Sequence, residues 1–208
     1  MKHNVEKQHR RSIRLKGYDY TREGTYFFTI CAYDRQFLFG NVVNGEMELN
    51  EFGHIVAEEW RKSTDIRHEI ELDMFIVMPN HLHGIVMVTD RDVGGTGGSP
   101  FPSGPSKHSL GAFIAGFKSA ITARINKIRG TPEVPIWQRN YYEHVIRDDA
   151  SLKNRIREYI LNNPAQWAYD PENPAATAAE LPDIWRLQER REGKGDRPVA
   201  PTKDVRNT

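Results

Sequence analysis

The chain has 208 residues, a formal net charge of +1, 38% hydrophobic and 27% charged residues. That length fits one globular domain with tails, and the near-zero net charge excludes a polyanion partner held by global charge, leaving local patches. The single cysteine, Cys31, excludes a disulfide framework and a multi-cysteine zinc site, in keeping with a cytoplasmic location. No run nears the roughly 18 apolar residues of a membrane span, and the N-terminus lacks the apolar core of a secretion signal.

Residues 1–19 form a basic arm, with Lys2, Lys7, Arg10, Arg11, Arg14 and Lys16 against Glu6. It reads either as a solvated tail or as an arm on phosphates. Thr25 to Tyr33 is aromatic and β-branched, and apolar on both faces, as expected of a central strand covered on both sides. Phe37 to Val43 is expected to be a second strand, pairing with Glu46 to Leu49 across the tight-turn pair Asn44-Gly45. Asn50 suits a helix N-cap, and Phe52, Ile55, Val56 and Trp60 recur at helical spacing, predicting a helix over 51–63. Leu72 to Val77 and Met78 to Val88 read as a strand pair.

Residues 92–107 carry many glycines and prolines and are expected to be a flexible connector or lid; the glycines fit no phosphate-binding pattern. Ser109 suits the cap of a long helix to about Ile128, with an apolar stripe from Leu110 through Ile128 and with Lys118 and Arg124 largely off it. These two are either solvated surface or a phosphate-facing flank. Ile136 to Arg147 mixes aromatics with Arg139, His144 and Arg147 and includes a last strand; rings beside guanidinium groups suit nucleic acid. A helix over 149–162 follows, stopped by Pro164. Residues 168–208 read as a charged C-terminal tail, with Trp167 and Trp185 able to dock parts of the stretch after Ala165.

Two features carry chemistry. His81 and His83 stand two apart in a strand, so their imidazoles share a face; they are either paired metal ligands or ordinary strand histidines. Tyr159 and Asn163 stand one helical turn apart and share a face; the alternative is a core tyrosine and a C-cap asparagine. Taken together, two imidazole nitrogens and an amide oxygen make an uncharged, sulfur-free set with open positions. That set suits Mg²⁺ or Mn²⁺ held jointly with a substrate phosphate better than a closed zinc site. Tyr159 would then stand close enough to attack the phosphate. Its ordinary pKa of about 10 means that its ionisation needs a nearby cation or base.

The run Met78-Pro79-Asn80-His81-Leu82-His83-Gly84 resembles the histidine-hydrophobic-histidine (HUH) motif of single-tyrosine transposases of the insertion-sequence type. Tyr159-Ile160-Leu161-Asn162-Asn163-Pro164 is similar to their nucleophile helix, in the variant of the REP-associated tyrosine transposases (RAYT), where asparagine stands four residues after the tyrosine. Trp137-Gln138-Arg139-Asn140-Tyr141-Tyr142-Glu143-His144, with Arg147, resembles the segment before that helix. The likeness spans 20–167 and implies an α+β, ferredoxin-like domain whose antiparallel sheet is flanked by helices. It implies attack by Tyr159 on single-stranded DNA with hairpin or repeat structure. The products would be a 5′-phosphotyrosine and a free 3′-OH, with His81, His83 and Asn163 holding the divalent ion. A monomer or a homodimer, and no membrane, would be expected.

Arg14, Lys118, Arg124, Arg139, His144 and Arg147 are the candidate DNA contacts. Tyr141 and Tyr142 are rival nucleophiles, but neither has an amide a turn later. Two readings compete: a non-catalytic single-stranded nucleic-acid-binding module, and a metal-dependent phosphohydrolase that uses water. The long loop at 92–107 and the tail depart from the family pattern.

Overall fold

A computed structural model describes residues 23–89, 108–146 and 150–176. The main sheet is built from β1 (Gly24–Cys31), β4 (Ile70–Val77), β5 (His81–Val88) and β6 (Tyr142–Ile146), in the order β4-β5-β1-β6. Every neighbouring pair is antiparallel. β1 reaches β4 through α1 (Glu51–Ile66), and β5 reaches β6 through α2 (Leu110–Arg129). In each case one strand lies between the two that are joined. This split βαβ pattern, repeated, is the ferredoxin-like topology, and the fold is the α+β architecture expected. A separate hairpin, β2 (Gly40–Val43) with β3 (Glu46–Leu49), precedes α1.

Local chemistry sets the element ends. Asn50 Oδ1 accepts the Gly53 N–H at 3.0 Å and Ser109 Oγ accepts the Ala112 N–H at 3.2 Å, each supplying a partner to a helix start that otherwise lacks one. The Asn44-Gly45 turn has positive φ at both residues, 53° and 80°, which suits a hairpin. α1 runs to Ile66 rather than ending near 63. Phe37 to Phe39, expected as strand, is not: the Phe39 N–H bonds to the Pro79 carbonyl and the Phe39 carbonyl accepts from Asn50. The Leu38 carbonyl also accepts from Asn50 Nδ2, so backbone groups of Leu38 and Phe39 anchor the loop before β5 and the start of α1, and the strand begins at Gly40.

The sheet has two covered faces. On one, Tyr26, Phe28, Ile30, Leu82 and Val86 pack beneath Val56 and Trp60 of α1 and Phe113, Ile114, Phe117 and Ile121 of α2. On the other, Phe27, Ile85 and Ile146 pack against Ile156 and Ile160 of α3 (Ala150–Asn162). β1 is therefore the doubly covered centre that its composition predicts. α3 is also tied to β4, where Asp73 binds Arg157 through both carboxylate oxygens at 2.8 and 3.0 Å and Lys153 at 3.0 Å.

After α3 the chain turns back. Trp167–Tyr169 forms a short 3₁₀ turn, and Asp170 and Asn173 are buried. Residues 168–176, the start of the stretch read as a tail, thus pack on the domain. The basic arm at 1–19, the loop at 92–107 and the chain beyond Ala176, including Trp185, lie outside the described residues. No helix among the described residues is long and apolar enough to cross a membrane.

Candidate active site

The alternation of β5 creates the site. Leu82 and Val86 join the core under α1 and α2, and His81 and His83 project from the opposite face, towards α3. Both histidines are buried. Their Nε2 atoms face one another at 3.0 Å. Each ring is fixed from behind. His81 Nδ1 is 2.9 Å from Asn80 Oδ1, and His83 Nδ1 is 2.8 Å from Thr29 Oγ1 on β1. Asn80 Oδ1 can only accept, so His81 carries its proton on Nδ1, and a neutral ring leaves Nε2 as a bare lone pair.

Burial, followed by the charge on Arg35, pushes the His81 pKa down to about 3. Burial, then the neighbouring His81, holds His83 well below its ordinary value, against an opposing pull from Asp170. Both imidazoles are neutral at pH 7, the state that binds metals.

α3 brings two more groups. The Tyr159 hydroxyl lies 3.1 Å from His83 Nε2. One turn on, Asn163 is buried, and its Nδ2–H donates to Asp170 Oδ2 at 2.6 Å. Asn163 Oδ1 is buried with no hydrogen-bond partner among the described residues. Burial, then the carboxylates of Asp170 and Glu172, raise the Tyr159 phenol well above its ordinary pKa, against a hydrogen bond with Asn163. Tyr159 is a neutral phenol at pH 7.

Asp170 gives the site its carboxylate. Its Oδ2 is 3.9 Å from His81 Nε2, and one ligand atom from each of His81, His83 and Asp170 falls within 4.8 Å of the others. Asp170 arrives on a strap that is latched at several points. Its Oδ1 accepts the Glu172 N–H at 2.6 Å, and the Glu172 carbonyl accepts from Asn80 Nδ2 at 2.7 Å. Arg35 holds the Pro171 carbonyl at 3.1 Å and the Glu172 carboxylate at 2.9 Å, and the Cys31 thiol donates to that carboxylate at 3.3 Å.

These residues have the donors for a divalent ion. Two adjacent ligands of an octahedral ion, with bonds of about 2.1 Å, stand about 3.0 Å apart, which matches the Nε2 spacing. The same spacing also serves as an N–H···N hydrogen bond in the absence of an ion. The orphaned Asn163 Oδ1 decides the fit. A buried carbonyl oxygen without a donor is costly, and a cation would satisfy it.

His81, His83, Tyr159 and Asn163 thus fall in one cluster. Tyr142 packs near Phe27 on the same face of the sheet, with ring centroids 6.3 Å apart, and Tyr141 packs against the core under α1 and α2. His144 pairs with Phe27 across β1 and β6, and Arg139 is exposed before β6. Lys118 and Arg124 lie on α2, on the sheet's other side, and both are engaged. Lys118 Nζ donates to the Gln138 carbonyl at 2.6 Å, and Arg124 bridges Glu58 and Glu59 at 2.7 Å each. Arg14 and Arg147 lie outside the described residues. Sequence reasoning missed Asp170 and the supporting Thr29 and Asn80. Asn80 had a signal, its place beside His81, whereas Asp170 sits in a stretch without periodicity.

No family model matches the chain. An uncharacterised protein of Haemophilus influenzae is 38% identical over 175 residues, covering 81% of this chain and 96% of that protein. A second Haemophilus influenzae protein, named provisionally as a REP-associated tyrosine transposase, is 28% identical over 159 residues, covering 73% of this chain and 76% of its own length. Among solved structures, a REP-associated tyrosine transposase bound to a REP hairpin aligns with a TM-score of 0.44 at 18% identity, over 94% of this chain and 95% of that one. A protein of Deinococcus radiodurans described provisionally as a transposase aligns with a TM-score of 0.41 at 17% identity, over 72% of this chain and 95% of that one.

Proposed function

We propose that the chain is a REP-associated tyrosine transposase, as its 28% identity to a protein provisionally so named supports, and that it cleaves and rejoins single-stranded DNA through a 5′-phosphotyrosine. The observation that carries the reading is the approach of the Tyr159 hydroxyl to His83 Nε2 at 3.1 Å, beside the converging His81 and the unpartnered Asn163 oxygen.

In this reading the Tyr159 oxygen attacks the scissile phosphorus and the bond from phosphorus to the 3′ oxygen breaks. The phenol loses its proton, the departing 3′ oxygen gains one, and the phosphodiester energy is kept in the tyrosyl ester. A 3′-OH reverses the step and rejoins the strand. His81, His83 and Asn163 would hold Mg²⁺ or Mn²⁺, with the Asp170 carboxylate in reach. Such an ion supplies Lewis-acid polarisation of a phosphoryl oxygen and a positive charge beside the phenol. Asn80 and Thr29 hold the two imidazoles in place, and burial keeps them neutral. Burial and the nearby carboxylates keep Tyr159 protonated at rest, so the phenol becomes a strong nucleophile only when positive charge enters the site.

The partner in this reading is single-stranded DNA with hairpin or repeat structure, which puts the protein's work in the cytoplasm. Arg139 and His144 are the described candidates for phosphate or base contacts. The test is a denaturing gel of labelled hairpin-bearing single-stranded DNA incubated with Mn²⁺ or with EDTA. Wild type is expected to give a covalent protein–DNA band in Mn²⁺ only, and Tyr159→Phe and His81→Ala to give none. Metal-dependent cleavage that survives Tyr159→Phe without a band would point to water as the nucleophile instead.

A further inference from the structure

An asparagine that serves as an oxygen ligand has an orientation problem. Its amide ends in an oxygen and an NH₂ of similar size, and only the oxygen can bind a cation. Whichever group holds the other end decides which way the amide faces. Here the other end is held by Asp170. A carboxylate accepts and does not donate, so the 2.6 Å contact of Asn163 with Asp170 Oδ2 can be made only by the NH₂. The amide oxygen is then the end left over, and it is the one without a partner among the described residues.

We propose that Asp170 is the positioning residue for Asn163: it takes the NH₂ of the amide and so turns Oδ1 to the ion. The inference rests on the reading of His81, His83 and Asn163 as the ion's ligands. It completes a pattern in the site, because each of the other two ligands already has an outer partner, Asn80 behind His81 and Thr29 behind His83. Outer partners of this kind fix ligand orientation and commonly govern affinity. Asp170 is built for the task. Its side chain is fully buried, its Oδ1 is engaged by the Glu172 N–H, and its backbone N–H bonds to the Trp167 carbonyl at 3.2 Å. The strap that carries it is fixed to Asn80 and Arg35, residues on the loops that flank β5 and β1. In this role Asp170 acts on the ion through Asn163, with its Oδ2 turned to the amide.

The experiment is a calorimetric titration of the full-length, DNA-free protein with Mn²⁺, with thermal melts as a check on folding. Asp170→Ala is expected to bind Mn²⁺ about 10–100-fold more weakly. Asp170→Asn keeps one acceptor oxygen where the carboxylate has two, for either the Asn163 NH₂ or the Glu172 N–H, and is expected to recover only part of that loss. In a double-mutant cycle, Asp170→Ala is expected to add no further loss in an Asn163→Ala background. Should Asp170→Ala fail to fold, Asp170→Ser, too short to reach the amide, takes its place. Unchanged affinity in Asp170→Ala would overturn the proposal. So would a loss that persists in full without Asn163, since Asp170 would then act as a ligand in its own right. Wild-type affinity in His81→Ala would instead remove the ligand reading on which the proposal stands.

Discussion

His81 and His83 can serve as ligands only when neutral, and burial makes them so. That has a consequence for stability. A histidine with a folded pKa near 3 and an unfolded pKa of about 6.5 takes up its proton in the unfolded state first. Protonation therefore favours unfolding. The stability present above the unfolded pKa is lost as pH falls below it, through the window down to the folded value. Each such group costs at most about 1.4 kcal/mol per pH unit in that window. Urea unfolding of the metal-free protein is predicted to show lower stability at pH 5.5 than at pH 7.5, by about 1–3 kcal/mol for the pair. His81→Gln should flatten the dependence. Equal stability at the two pH values would mean that the rings are protonated, or solvated, in the folded state.

At the scale of elements, β5 must satisfy two faces at once. Its site face carries His81 and His83, and its core face includes Gly84 opposite Phe28. A Cβ at Gly84 would stand 2.7 Å from Phe28 Cζ and 2.8 Å from Trp60 Cη2. Glycine there leaves room for the Trp60 indole of α1, which also stacks on Phe75 with ring centroids 4.8 Å apart. Gly84→Ala is predicted to cost about 1–3 kcal/mol of stability by overpacking, read as a lower urea midpoint at pH 7.5. A variant as stable as wild type would show that the aromatic packing yields freely. This glycine was visible in the sequence only as part of a resemblance, because its cause is a contact with residues far along the chain. The paired histidines were legible because a strand's period of two is strict, and the starts of α1 and α2 because capping by Asn50 and Ser109 is local. Phe37 to Phe39 misled because apolar, aromatic composition does not say where backbone hydrogen bonds go. Asp170 was illegible: a Pro- and Ala-rich stretch has no periodicity, and its course is set by Asn80, Arg35 and Cys31 at a distance.

At the scale of the whole molecule, the fold assembles one site from four separate segments: Thr29 on β1, the histidines on β5, Tyr159 and Asn163 at the end of α3, and Asp170 on the strap. The split βαβ order places β5 beside the central strand, and the face left open by α1 and α2 is the one that α3 covers. The three separated runs quoted for the family are therefore neighbours in space, which is why their order and spacing carried more than any one of them. The central claim is that Tyr159, and no other tyrosine, becomes joined to DNA. The most direct test is to form the adduct in Mn²⁺ on a hairpin-bearing single strand, digest it with nuclease and trypsin, and map the modified peptide by mass spectrometry. A 5′-phosphonucleotide on Tyr159 is predicted. The same group on Tyr141 or Tyr142, or cleavage with no modified peptide, would contradict the account.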